Sequence, residues 1–166
     1  MMDRNKFALQ ILKKNDARGY VEKAKGSGFF IEAVVRLDLL IDSILELLFS
    51  LSCTEQEKLA LDAVKKSIDP SPEEYKKTQN RMLLEKGILT QEFLDRIRKF
   101  KHVRNTMAHD IFGSINLVIE KRGEGSLKQF EDNERSMLLT ECEKGEKLLD
   151  ELLSITEGYI KKQESR

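Results

Sequence analysis

The residues best suited to chemistry lie within Arg104-Asn105-Thr106-Met107-Ala108-His109. An imidazole with an ordinary pKa near 6.5 exchanges protons at neutral pH. A guanidinium binds phosphate oxygens and offsets negative charge that develops in a transition state. Asn105 can orient the imidazole or donate to a phosphate. Together these side chains suit proton transfer beside a bound phosphate group.

The helix that must carry them has apolar residues Phe93, Ile97, Phe100, Met107 and Ile111 at alternating steps of four and three. The vacant slot on that stripe is position 104, so Arg104 stands where helical geometry would place a leucine. An unpartnered buried guanidinium is strongly unfavourable. Two solutions follow: a structural ion pair with Asp38, Asp42 or Glu46, or a stripe that borders a polar cavity or subunit seam. A second stripe of Arg98, His102, Asn105 and His109 occupies the opposite side. His109 follows Arg104 by five positions, an angular offset of about 140°. Either the helix ends or kinks near His109, or the two groups meet around its flank, or a two-fold seam gathers them from two copies. Residues 96–104 hold Arg96, Arg98, Lys99, Lys101 and Arg104 without a carboxylate. Such a run is ordinarily a solvated face; beside this motif, with His102, it also suits a nucleic-acid backbone.

The remaining chain supplies the scaffold. Its 166 residues suffice for one domain spanning 1–166, and scarce proline and glycine leave long stretches open to helix. Residues 3–24 read as helix with a weak point at Asn15–Gly19, and Gly26-Ser27-Gly28 as a turn. No lysine and hydroxyl pair follows those glycines, as a phosphate-binding loop would require. A second helix runs from Phe29 to Ser52. Its Glu32, Arg36, Asp38, Asp42 and Glu46 are costly in lipid, so a buried helix is expected rather than a membrane span. Asp38, Asp42 and Glu46 are spaced by four and share one ridge. Thr54-Glu55-Gln56-Glu57 is a capping box opening a third helix to Ile68. Pro72 opens a fourth to Lys86, closed by Gly87, and Thr90 caps the motif helix. Residues 115–120 and 126–131 flank Lys121-Arg122-Gly123-Glu124-Gly125, which predicts a β-hairpin over 115–131. A last helix is expected over 133–161. The fold class is therefore all-α, an up-and-down bundle of four to five main helices with a small β-hairpin insertion after the motif helix.

The formal net charge is zero, which argues against a dedicated duplex-DNA binder. Cys53 and Cys142 are too far apart for a CxxC and read as reduced thiols of a cytoplasmic chain. No secretory leader is expected, since residues 1–15 lack a continuous apolar core. No ligand cluster suggests a metal, and no cofactor is expected.

The segment from Phe93 to His109 resembles the late helix of HEPN domains, a helical superfamily marked by Arg, a polar residue, three variable positions and His. Arg104, Asn105 and His109 fill those places, and Met107-Ala108 before the histidine is also typical. The local character is similar to the mannitol operon repressor family. The specific match covers about a dozen residues. The resemblance implies a homodimer whose nuclease members cut RNA without metal, using Arg and His from both subunits in one cleft. His109 would then be the general acid/base and Arg104 the phosphate ligand. Toxin-like members imply an antitoxin or regulatory protein as a further partner; repressor-like members imply a non-catalytic regulator or scaffold. Toxins paired with a nucleotidyltransferase antitoxin carry Tyr two positions after the His, where this chain has Ile111. An unrelated bundle, with Arg104 in a structural pair and His109 isolated on the surface, is the plainest alternative.

Overall fold

The computed structural model describes residues 16–59, 72–109, 111–123 and 127–165. Helices dominate: α1 (Asp16–Gly26), α2 (Phe30–Ser52), α3 (Pro72–Glu85), α4 (Gln91–His109), α5 (Ile111–Arg122) and α6 (Leu127–Glu164). No strand occurs among the described residues. The expected third helix is seen only at its start, over 55–59; its predicted end at Ile68 and the Asp69-to-Ser71 break lie outside the described residues, as does the chain before Asp16.

Helix α2 is the centre of the bundle and packs on α1, α3, α4 and α6. Its apolar positions at steps of three and four, among them Ala33, Val34, Leu37, Ile41, Ile44 and Leu48, are buried. Burying each valine, leucine or isoleucine among them contributes about 1.5–3 kcal/mol, which outweighs its intrinsic helix preference. Against it lies α6, about 57 Å long at ideal rise. Met137, Leu138, Cys142, Leu149 and Leu152 of α6 are buried. Gly145 lets α4 approach: a Cβ there would stand 2.8 Å from the Phe100 ring and 3.0 Å from Leu37 Cδ1.

The helix ends follow local chemistry. Thr54 and Glu57 form the reciprocal box: Glu57 accepts from the Thr54 amide at 2.7 Å, and Thr54 Oγ1 accepts from the Glu57 amide at 3.2 Å. Gly87 adopts φ +65° after α3, and the amide of Ile88 donates back to the Leu83 carbonyl at 3.0 Å. Thr90 Oγ1 accepts from the Phe93 amide at 3.2 Å and starts α4.

The β-hairpin expected over 115–131 is not formed. Residues 111–122 are helix α5, and α6 already begins at Leu127. Alternating apolar residues at 115, 117 and 119 suggest a strand, but the fully buried position is Val118. Packing of α5 on α4 and α6 overrides the β-propensity of the segment. Gly123 is not a hairpin turn: at φ +85° its amide donates to the Ile119 carbonyl at 2.7 Å and closes α5. The last helix is longer than the predicted 133–161 at both ends.

Candidate functional site

Helix α4 keeps the predicted stripe. Phe93, Ile97, Phe100 and Met107 are buried, and Arg104 fills the gap between them. Its guanidinium Nη2 donates to Asp38 Oδ2 of α2. The Asp38 side chain is 3% exposed and that of Arg104 22%. The ion-pair solution to the burial of Arg104 is therefore the one the chain adopts.

The pair belongs to a larger network. Asp38 and Asp42 are one turn apart on α2; Lys101 and Arg104 are three apart on α4. Lys101 pairs with Asp42 and lies 3.4 Å from Asp38 Oδ1. Lys76 of α3 pairs with Asp42 from the other side. Burial alone would push the Asp42 carboxyl up, but hydrogen bonds from Lys101 and Lys76 hold it below its ordinary value. Two acids and three cations from three helices thus clamp α2, α3 and α4 together. Asp38 Oδ1 and Arg104 Nε are both buried without a hydrogen-bond partner. A two-pronged contact would satisfy both atoms, so the pair uses only one of the guanidinium's five N–H groups with this carboxylate.

The second stripe lies outside. Arg98, His102, Asn105 and His109 are all exposed, as their spacing of four, three and four requires. Helix α4 is described through His109, and α5 from Ile111. The offset of about 140° between Arg104 and His109 therefore stands, with a separation of about 7.5 Å along the axis. Within one chain the two groups are not brought together: Arg104 faces inward to Asp38, and His109 faces solvent at the helix end.

The basic segment divides. Arg96 binds Glu151 of α6 at 2.6 Å and lies over the Phe93 ring, 5.0 Å from its centroid. Lys101 is held in the acidic network. Arg98, its side chain 76% exposed, meets Asp95 on its own helix at 3.0 Å. Lys99 and His102 are exposed. Arg98 and His102 form a ridge between two grooves. One, of about 540 Å³, lies toward α2 and α3 and includes Asp42, Lys76, Lys101 and Asn105. The other, of about 680 Å³, lies toward α5 and α6. Neither groove is lined by Arg104 or His109.

The sequence did not single out Lys121, Glu141, Lys144 and Lys147, which line the second groove. Glu141 and Lys144 have helical i,i+3 spacing, but nothing in the sequence brings Lys121 of α5 to the same carboxylate. No group of three potential metal ligands occurs among the described residues, and no described helix is long and apolar enough to cross a membrane. No family model matches the chain, and comparison with curated proteins and with solved structures returned no match.

Proposed function

We propose that this chain is a HEPN-type, metal-independent endoribonuclease of the cytoplasm that works as a pair of identical copies. The observation that carries the reading is the exposed His109, with Asn105 four residues before it on the same face, at the open end of the helix that holds Arg104. In the reaction His109 takes the proton of an RNA 2′-hydroxyl. The 2′-oxygen then bonds to phosphorus and the bond to the 5′-oxygen breaks; that oxygen leaves as a hydroxyl with a proton from an imidazolium, and the other strand end carries a 2′,3′-cyclic phosphate. Arg104 neutralises the phosphate with donors that Asp38 does not use. Because His109 and Arg104 point to different sides of one helix, each cleft takes Arg104 from one copy and His109 from the other. Asn105 orients the imidazole or donates to a phosphate, and Arg98, Lys99 and His102 hold the RNA backbone. An apolar stripe of Ile31, Val35 and Leu39 on α2, with Ile31 and Leu39 exposed, offers a seam for the second copy. The motif helix itself contributes no large exposed hydrophobic residue among those described.

The Asp38–Arg104 pair also favours a second reading, a non-catalytic regulator or scaffold with Arg104 as a structural tie. Incubation with single-stranded RNA in EDTA separates the two. The ribonuclease reading predicts cleavage with cyclic phosphate ends, lost in His109→Ala. Intact RNA, across several sequences and with a folded protein, would leave the scaffold.

A further inference from the structure

The groove between α4, α5 and α6 has a chemistry that phosphodiester cleavage does not use. Its floor is made by Phe100, Val103, Leu117 and Leu148. Phe100 and Leu148 belong to the core, while Val103 and Leu117 are partly buried against it. The rim carries Arg96, Arg98, Lys99, Lys121, Lys144 and Lys147. Glu141, almost fully buried, fixes part of this rim from inside. Its Oε1 lies 2.6 Å from Lys144 Nζ and 3.6 Å from Lys121 Nζ, tying α5 to α6. Arg96 and Arg98 are balanced by Glu151 and Asp95. Counting those carboxylates with Glu141, the six rim cations keep three positive charges in excess. Among the described residues no carboxylate pairs with Lys99 or Lys147.

A rim rich in cations over an apolar floor selects its occupant. Nucleic acid would satisfy the rim, but its bases need aromatic faces to stack on, and Phe100 is only 3% exposed. A docked helix needs apolar anchors repeated along several turns, whereas this groove has one compact apolar floor. Its volume of about 680 Å³ falls in the range of small-molecule sites, about 300–1,000 Å³. The geometry points to a binding site for a small amphiphilic anion, with an aliphatic chain on the partly buried Val103 and Leu117, backed by Phe100 and Leu148, and a phosphate or carboxylate head among the rim lysines. This site does not rest on the ribonuclease reading: Arg98, Lys99 and His102 border both, but Val103, Leu117 and Lys147 serve this groove alone.

Calorimetric titration of the full chain with octyl phosphate, octanoate and octyl glucoside, each below its micelle-forming concentration, tests it. Both anions bind saturably, one per chain, and the neutral glucoside binds far more weakly. The relative affinity of the two anions tells a phosphate head from a carboxylate one. The Lys99→Glu/Lys147→Glu variant changes two exposed side chains and leaves the helical circular dichroism intact. It weakens both anions by about tenfold or more. Leu117→Asn weakens both to a similar degree, through the floor. The proposal is overturned if neither anion binds saturably, if the glucoside binds as well as the anions, or if the charge-reversed variant binds unchanged. It is equally overturned if a single-stranded RNA binds the groove, sensitive to the lysine changes, while both octyl anions do not.

Discussion

Replacing Asp38 by leucine examines the tie between α2 and α4. The lost carboxylate accepts from Arg104 and lies 3.4 Å from Lys101. Removing one partner of a buried ion pair costs about 3–5 kcal/mol. The full figure does not apply, because the side chains of Arg104 and Lys101 are 22% and 24% exposed and their heads can shift toward water. A loss of about 2–3 kcal/mol follows, which at a urea slope near 2 kcal/mol/M lowers the unfolding midpoint by roughly 1–1.5 M. Adding Arg104→Met fills the vacant slot of the apolar stripe with an unbranched apolar chain. The double variant should return close to wild-type stability, since apolar replacement of a whole buried pair is commonly neutral or stabilising. Equilibrium urea unfolding, followed by circular dichroism for wild type, both single variants and the double variant, yields the coupling energy. A midpoint for Asp38→Leu within about 0.3 M of wild type would refute the reasoning, because it would mean the buried carboxylate does not hold Arg104. A double variant as unstable as the single ones would refute the apolar-slot argument.

Three further outcomes follow from the same packing. Gly145→Ala should destabilise by about 1 kcal/mol, since strain of about 1–3 kcal/mol against Phe100 and Leu37 exceeds a helix-propensity gain near 1. Gly158→Ala, in the same helix with nothing within 4 Å, should stabilise instead; thermal melts of the two compare them directly. Burial pushes the Cys142 thiol up to about 11 and the Cys53 thiol above its ordinary value. Both should therefore react with a thiol reagent at pH 8 only after denaturation, and rapid labelling of the native protein would contradict that packing. Acid should also weaken the fold. The hydrogen bond from Lys86 takes the Glu57 carboxyl from 4.5 to about 2, and Asp42 also lies below its ordinary 3.8 despite its burial. With folded values below unfolded ones, these carboxylates stabilise the fold above pH 4.5 and lose that contribution as pH falls toward 2. Urea midpoints between pH 6 and 3 measure the decline, which Lys76→Met should flatten.

What the sequence revealed depends on how local the cause is. The Thr54–Glu57 box, the Gly87 and Thr90 caps and the stripe from Phe93 to Met107 are set by neighbours within a turn or two, and they formed as spaced. The arginine at position 104 was also legible: a cation on an apolar stripe needs an acid, and Asp38, Asp42 and Glu46 form an acidic ridge on α2. The choice of Asp38 was not legible, because it depends on how α2 and α4 cross. Residues 115–131 failed for the same reason. Alternation over six residues fits a strand, but Val118 finds its burial against α4 and α6, which only the assembled bundle supplies. Lys121 meets Glu141 across helices and left no trace in spacing.

The proposed cleft draws Arg104 from one copy and His109 from the other. Purified Arg104→Gln and His109→Ala proteins, each folded and each inactive on single-stranded RNA in EDTA, can be unfolded, mixed in equal amounts and refolded together. Random pairing makes half of the dimers mixed, each with one intact cleft of two, so about a quarter of the wild-type cleavage rate should return. A mixture as inactive as its two components, with exchange of subunits verified by mass spectrometry, would contradict the shared cleft.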